Sequence, residues 1–172
     1  MKHSTVLPVA WITLRILVIL NWIYGACILA ILTYSFINEP FLLRALKLGS
    51  PSENPALVWG TRAIAGLGLL AVPMNLAVLK RLMAMVQTVR AGDPFIASNA
   101  YRLQAIAWVL LAQQVLSAII GFIGKEVSSP AHPLHLDAGF SPGGWLAVIL
   151  TFVLARVFAE GTLMREDLEG TV

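Results

Sequence analysis

Charged residues are scarce in this sequence. They make up 12% of its 172 residues, whereas 58% of the residues are hydrophobic. A soluble globular domain has about 25% charged residues. Together with a mean hydropathy of +0.81, this scarcity excludes an ordinary soluble domain and indicates an integral membrane protein.

Cysteine is nearly absent, since Cys27 is the only one. A single thiol excludes an intramolecular disulfide. Cys27 also lies inside a long apolar run, where the charged thiolate form is disfavoured. We therefore interpret Cys27 as a small core residue rather than as a reactive one.

Ionisable side chains are missing where transport or catalysis would need them. No Asp, Glu, His or Lys lies near the middle of a long apolar run. Proton relays and ion-coupled transporters place such side chains there, and a membrane haem usually has a histidine ligand. The sequence also lacks a Gly-rich phosphate loop, a nucleophile elbow and paired carboxylates. We expect no enzyme activity, no catalytic residue and no cofactor.

Two histidines and a carboxylate, His132, His135 and Asp137, lie close together at the start of the chain's last quarter. These side chains are of the types that bind zinc. Their spacing matches no strong metal motif, and Pro133 prevents an ordinary helix from presenting both imidazole rings. We therefore predict that this segment holds no metal ion.

The sequence does contain four long apolar runs, each able to cross about 30 Å of hydrocarbon. They cover residues 9–37, 56–79, 101–123 and 143–159. Asn54-Pro55 and Ser141-Pro142 are predicted to open the second and fourth helices, because proline is favoured at the first helical position. We predict an all-α integral membrane four-helix bundle with short cytoplasmic helical extensions, forming one domain over residues 1–172.

The distribution of Lys and Arg favours a multi-pass topology with both termini in the cytoplasm. The flanks that are cytoplasmic in this topology contain Lys2, Lys80, Arg81, Arg90, Arg102, Arg156 and Arg165. The outer flanks contain Arg44, Lys47, Arg62 and Lys125. Arg15, Arg62 and Arg156 lie near the ends of apolar runs, so their side chains are predicted to extend to the lipid headgroups.

Three uncharged polar residues, Asn21, Gln113 and Gln114, lie near the middle of their apolar runs. An unpaired amide is costly in hydrocarbon, so we predict that Asn21 hydrogen-bonds with Gln113 or Gln114 across the helices. A ligand pocket made by these amides is the alternative. Gly66 and Gly68 are predicted to let the second helix approach a neighbour closely.

Residues 80–91 have an amphipathic pattern, which predicts that the second helix continues beyond its apolar run. Leu82, Met85, Val86 and Val89 share one helical face. This face either packs against the carboxy-terminal extension or binds a cytosolic protein. The sequence leaves both alternatives open.

Two groups of residues resemble the pattern of a bacterial membrane family known as domain of unknown function 2975. The first group consists of Gly92, Asp93, Pro94, Phe95, Asn99, Arg102 and Leu103. The second consists of residues 154–158, Glu160, Gly161, Arg165, Glu166, Asp167, Thr171 and Val172. The resemblance implies four spans in the bacterial inner membrane, a Pro-Phe turn before the third span, and a charged tail that ends in Thr-Val.

The resemblance also implies a partner, because members of this family are often encoded beside a small helix-turn-helix regulator. We therefore expect a non-enzymatic regulatory or sequestering protein whose cytoplasmic rim engages such a transcription regulator. The basic residues flank apolar runs and form no separate basic domain, so no direct nucleic-acid binding is expected. The lipid bilayer and a second copy of the chain are the other candidate partners.

Eight residues are the candidates for this cytoplasmic rim: Asp93, Pro94, Phe95, Asn99, Arg102, Glu160, Arg165 and Asp167. Asp93 and Asn99 are expected to shape the turn and the helix cap, and Phe95 to anchor the loop. Arg102 is expected to pair with Glu160 or Asp167. The alternative is that all eight only stabilise the fold.

A different class of function also stays open. A small transporter or ligand-binding membrane protein would use Asn21, Gln113 and Gln114 to hold its ligand. A cavity in the middle of the membrane would favour this alternative, whereas a filled core would favour the regulatory function.

Overall fold

The computed structural model describes residues 6–38, 55–128 and 138–169. These residues form four α-helices and no strand. The helices are α1 (Val6–Ile37), α2 (Pro55–Arg90), α3 (Ala97–Val127) and α4 (Pro142–Glu169). The predicted all-α four-helix fold is therefore confirmed.

Each helix is long enough and apolar enough to cross a membrane. The helices contain 32, 36, 31 and 28 residues, or about 42–54 Å at 1.5 Å per residue, against about 30 Å of hydrocarbon. Only 6–17% of the most apolar window of each helix is buried. Large apolar side chains therefore face outward along the helices, as expected of a multi-pass protein surrounded by lipid.

The helix boundaries follow the turn chemistry of the sequence. α2 begins at Pro55 and α4 at Pro142, as predicted, because the fixed φ of proline suits the first helical turn. α2 then runs without interruption to Arg90. This confirms that the second helix continues beyond its apolar run.

α2 ends in a Schellman motif at Gly92, whose φ is 91°. The Gly92 amide donates to the Val89 carbonyl at 3.2 Å, and the Asp93 amide donates to the Thr88 carbonyl at 3.0 Å. These two hydrogen bonds define the motif. Because a left-handed backbone costs a side-chain-bearing residue about 1–2 kcal/mol, the glycine determines where α2 stops, and Pro94 prevents its continuation.

The chain divides into two compact units. The first consists of Met1–Leu20, Met74–Ala112 and Pro142–Val172, and the second of Asn21–Pro73 and Gln113–Ser141. The assignment of residues 1–172 to one membrane domain stays a prediction.

The core of the first unit contains residues of α3 and α4. Leu103, Ile106 and Ala107 lie at helical spacing on one face of α3, and Val148 and Ala155 lie two turns apart on α4. All five are buried. The rim cluster described below lies in the same unit.

The amphipathic part of α2 also belongs to the first unit. Leu82, Met85 and Val86 are half-buried, and Val89 is exposed. Most of this apolar face is therefore covered within the fold. The packing alternative accounts for this arrangement better than an open docking face does.

In the second unit, glycines allow close approach between elements. A Cβ atom on Gly121 of α3 would lie 2.7 Å from the Cα atom of Gly139. The Ser117 hydroxyl also accepts a hydrogen bond from the Gly139 amide at 3.1 Å. Near the end of α3, a Cβ atom on Gly60 would overlap the side chain of Val127.

The glycines expected to mark such contacts do not do so. A Cβ atom on Gly66 or Gly68 would meet no atom of residues 6–38, 55–128 or 138–169 within 4 Å. The prediction of close helix approach at these two positions is therefore wrong. They are as small as Gly60 and Gly121, but no other described element approaches this part of α2 within 4 Å.

Candidate functional site

Most of the predicted rim residues come together in the first unit, around the turn between α2 and α3. We call this group the rim cluster. It consists of six predicted rim residues and three residues that contact them. The predicted residues are Asp93, Pro94, Phe95, Asn99, Arg102 and Arg165, and the contacting residues are Thr88, Phe158 and Gly161. The sequence did not identify the last three as contacts of the predicted residues.

An ion pair connects the end of α4 to the turn after α2. The Arg165 Nη1 atom lies 2.9 Å from the Asp93 Oδ1 atom. The two side chains are 43% and 54% exposed, so the pair contributes only about 0.2–1 kcal/mol to stability. The main effect of the ion pair is that it holds the Arg165 guanidinium and the Asp93 carboxylate, which are distant in sequence, next to each other on the surface.

An aromatic contact lies beside this ion pair. The ring of Phe95 packs on that of Phe158 on α4, with 5.1 Å between the centroids. Gly161 leaves the space for the ring, because a Cβ atom there would lie 3.0 Å from the Phe95 Cδ1 atom. Phe95 therefore anchors the turn, as predicted, while 42% of the residue stays exposed.

Asn99 is fully buried and connects three segments. Its Nδ2 atom donates to the Thr88 hydroxyl at 2.7 Å and to the Pro94 carbonyl at 2.9 Å. Its Oδ1 atom accepts from Arg102 Nη1 at 2.7 Å. Because α3 already begins at Ala97, Asn99 does not cap this helix, and it ties the turn to α2 instead.

The predicted partner of Arg102 is wrong. Arg102 donates to Asn99, three residues earlier on the same helix, rather than to Glu160 or Asp167. Glu160 pairs with Arg156, four residues earlier on α4. Residues three and four apart on a helix are already neighbours, so both side chains find nearby partners without reaching another element. Asp167 is exposed near the end of α4.

The mid-span amides lie in the second unit. The buried Asn21 Nδ2 atom donates to the Val72 carbonyl of α2 at 3.0 Å. A hydrogen bond between helices was predicted, but its acceptor is a backbone carbonyl rather than Gln113 or Gln114. Gly25, one turn after Asn21, permits this approach, since a Cβ atom there would lie 3.0 Å from a Val72 methyl carbon.

Arg62 differs most from its prediction, because it is buried rather than extended toward lipid headgroups. It donates to the backbone carbonyl of Ser35. Its guanidinium carbon lies 4.5 Å from the centroid of the Phe36 ring and 5.3 Å from that of Trp59. These aromatic faces and the serine replace part of the hydration shell. The sequence contained one indication of this contact, because Trp59 lies three residues before Arg62 and therefore on the same side of the helix.

The other two arginines near span ends, Arg15 and Arg156, are exposed, and their extension to lipid headgroups stays a prediction. Arg15 lies 4.5 Å from the ring centroid of Trp11, and the Arg156 side chain is 78% exposed. Cys27 is also exposed on α1, so its interpretation as a core residue is wrong. Its small side chain lies on the outward-facing side of an apolar helix.

Within the part of the chain that the structure describes, no group of three or more His, Cys, Asp or Glu side chains could hold a metal ion. His132, His135 and Asp137 lie outside the described residues, and so do Thr171 and Val172. The absence of a metal site at the two histidines stays a prediction.

Four long apolar helices with outward-facing side chains, carrying a polar and aromatic cluster, define a multi-pass membrane protein of the all-α class. A family model described as "Protein of unknown function (DUF2975)" matches residues 48–172. The match covers well over half of the chain, so the chain belongs to this family, as the resemblance predicted. Neither the curated proteins nor the solved structures contain a match.

Proposed function

We propose that this chain is a non-enzymatic membrane protein whose rim cluster binds a cytosolic protein, such as a helix-turn-helix transcription regulator. The observation that carries the proposal is the Arg165–Asp93 ion pair beside the exposed ring of Phe95. With both termini in the cytoplasm, as the Lys and Arg distribution favours, the rim cluster faces the cytosol.

The rim cluster combines a rigid base with exposed groups. Asn99 is buried and hydrogen-bonded on three sides, so the turn that carries Asp93 and Phe95 is held in one conformation. Aromatic and arginine side chains, such as Phe95 and Arg165, are enriched in protein interfaces. A preorganised turn also lowers the entropy lost when a partner binds.

The end of α4 extends this surface. α4 is about 42 Å long, so its last turns lie beyond about 30 Å of hydrocarbon. Met164 is 62% exposed there, beside the charged residues Arg165 and Glu166. Leu168, one helical turn later, is also exposed, and contiguous exposed apolar side chains outside the lipid mark interaction sites. The docking surface therefore involves the end of α4 rather than the largely covered face of α2.

Photo-crosslinking in the native host tests this proposal. A photoreactive phenylalanine analogue at Met164 is expected to cross-link one DNA-binding regulator, which mass spectrometry identifies. The matched control places the same analogue at Ile149, an equally exposed apolar position earlier on α4. Equal capture at both positions, or capture of lipid alone at Met164, would contradict the proposal.

Deleting residues 165–172 is a second test. The deletion removes one partner of the Arg165–Asp93 ion pair and the end of the exposed surface, while the four apolar spans are retained. We expect the regulator to be lost and membrane insertion to stay intact, because apolar helices insert without such a tail. If recovery of the regulator is unchanged, or falls only in step with thermal stability in detergent, the tail has a structural role alone.

One observation favours the alternative of a ligand-binding membrane protein. The Gln114 Oε1 atom is buried and has no hydrogen-bond partner within the described part of the chain. A ligand donor would satisfy this oxygen. Replacing Gln114 with leucine distinguishes the two functions, because it should leave capture of the regulator at Met164 unchanged and would abolish ligand binding only under the alternative.

A further inference from the structure

The middle of α2 contains three residues that weaken a helix. Pro73 lies inside the helix, and Gly66 and Gly68 lie seven and five residues before it. Proline has no N–H group, so the helical hydrogen bond to the Leu69 carbonyl cannot form. Glycine in a helix interior loses more conformational entropy than alanine does. Because sharp helix bends occur mainly at proline, α2 is most easily bent within this stretch.

Packing does not explain the two glycines of this stretch. A Cβ atom on Gly66 or Gly68 would meet none of the described residues within 4 Å. Gly25 on α1 is different, because a Cβ atom there would lie 3.0 Å from a methyl carbon of Val72. Gly66 and Gly68 therefore make the backbone of α2 easier to deform, whereas Gly25 permits a close contact.

The division between the two compact units passes through α2 at the end of the same stretch. The second unit includes α2 as far as Pro73, and the first unit includes it from Met74 onward. In the first unit, Thr88 of α2 accepts a hydrogen bond from Asn99 of the rim cluster. The part of α2 after Pro73 therefore belongs to the same compact unit as the rim cluster.

A hydrogen bond from α1 restrains α2 directly before the proline. The Asn21 Nδ2 atom donates to the Val72 carbonyl at 3.0 Å. Both residues are buried, so water does not compete for this contact. Hydrogen bonds between membrane helices are individually weak. This one can therefore hold the two helices together at Val72 and still open when α2 bends.

The apolar run of α2 is longer than the hydrocarbon layer is thick. It covers residues 56–79, which correspond to about 36 Å of helix, against about 30 Å of hydrocarbon. A membrane helix with such an excess tilts or kinks, and it does so more in a thinner bilayer. Residues 66–73 begin near the middle of the run, where a kink shortens the distance that the run spans.

We propose that residues 66–73 form a hinge in α2, that the Asn21–Val72 hydrogen bond restrains this hinge, and that its bend increases as the bilayer becomes thinner. Bending changes the direction in which residues 74–90 leave the bilayer. These residues end at the turn that carries the rim cluster. The inference goes beyond the proposed function, because the hinge responds to the bilayer and requires no protein partner.

Solid-state NMR of the full chain in aligned bilayers tests the proposal. Dipolar couplings between backbone nitrogen and hydrogen measure the tilt of residues 56–65 and of residues 74–90 separately, and the difference between the two tilts reports the bend. The bilayers are dimyristoleoyl phosphatidylcholine, which is thin, and dieicosenoyl phosphatidylcholine, which is thick. We expect a bend about 10–20° larger in the thin bilayer, within the range of 0–40° over which membrane helices tilt.

Three variants identify the parts of the hinge. Gly66→Ala together with Gly68→Ala stiffens α2, and the difference in bend between the two bilayers should fall to within experimental error. Pro73→Ala restores the missing N–H group and should reduce the bend in both bilayers. Asn21→Leu removes the restraint from α1 and should increase the difference between the two bilayers.

Two controls separate hinge effects from general effects of substitution. Gly143→Ala adds a methyl group on α4 at a position that also meets none of the described residues within 4 Å. Thr13→Leu replaces an exposed polar residue of α1. Both variants should bend like the unchanged protein. Helical circular dichroism monitors folding, and if Asn21→Leu does not fold, the glycine variant provides the test.

Three results would overturn the proposal. An equal bend of the unchanged protein in both bilayers would show that α2 has no hinge. An unchanged response in the glycine variant would place the bending outside residues 66–73. A response of Asn21→Leu equal to that of the unchanged protein would show that the Asn21–Val72 hydrogen bond does not restrain the bend.

Discussion

Asn99 illustrates how single buried polar residues determine the arrangement of the rim cluster. Its side-chain amide forms hydrogen bonds with Thr88 on α2, Pro94 in the turn and Arg102 on α3. A buried donor or acceptor that loses its partner costs about 1–3 kcal/mol. The position of the exposed groups Asp93 and Phe95 therefore depends on a residue that is itself inaccessible.

Replacing Asn99 with alanine tests this dependence. We expect the free energy of unfolding in detergent to fall by about 1–3 kcal/mol, because the Thr88 hydroxyl, the Pro94 carbonyl and Arg102 each lose a partner. Ser98→Ala is the matched control, since Ser98 is exposed in the same helical turn. Equal unfolding midpoints for the two variants would contradict the role assigned to Asn99.

Arg62 leads to a second prediction at this scale. Arg62→Lys keeps the charge but loses the planar group that contacts Phe36, Trp59 and Ser35. A desolvated cation–π contact contributes about 2 kcal/mol, so thermal unfolding should show a loss of about that size. Arg90→Lys, at an exposed position, should have almost no effect, and a similar loss in both variants would refute the prediction.

The sequence identified important residues more reliably than it identified their partners. Asp93, Phe95 and Asn99 were all singled out, and the structure brings them together. The partner of Arg102 was wrong, and Arg62 was placed among lipid headgroups although it is buried. A contact such as Arg62 with Phe36 depends on how two helices meet, and no local pattern in one sequence contains that information.

At the scale of the helices, turn chemistry and apolar length predicted where most elements begin and end. α1 was expected over residues 9–37 and covers Val6–Ile37. α3 is longer than its predicted apolar run, extending over Ala97–Val127, because a helix continues through polar turns after it leaves hydrocarbon. Hydropathy marks the part in lipid, whereas the glycine and proline signals mark the helix ends.

Helix contacts provide the prediction at this scale. Gly121→Ala would place a methyl group 2.7 Å from the Gly139 Cα atom, so the two backbone segments must move apart. We expect a loss of about 1–3 kcal/mol in stability, as for overpacking in other cores. Gly68→Ala meets none of the described residues within 4 Å and should be neutral or slightly stabilising. Thermal unfolding of both variants measures this difference. A greater loss of stability in Gly68→Ala than in Gly121→Ala would contradict the contacts described.

At the scale of the whole molecule, composition was sufficient to predict the class. Few charges and four apolar runs predicted a multi-pass helical protein, and both the fold and the family match agree. Composition is not sufficient to predict the orientation of the chain or its partners, because these depend on the membrane and on other molecules. The Lys and Arg distribution supports inside termini, and the exposed rim cluster supports a cytosolic partner.

The orientation of the rim cluster is the claim on which the proposed function depends. Ser98 and Ser141 are both exposed and lie on either side of the long apolar part of α3 along the chain. In a Cys27→Ser background, each serine is replaced with cysteine in turn. A membrane-impermeant maleimide is then applied to intact cells and to opened cells.

We predict that Ser141→Cys reacts in intact cells, whereas Ser98→Cys reacts only after the cells are opened. This result would place α3 across the membrane with the rim cluster in the cytosol. Reaction of Ser98→Cys in intact cells would contradict the account, because the rim cluster would then face away from every cytosolic partner.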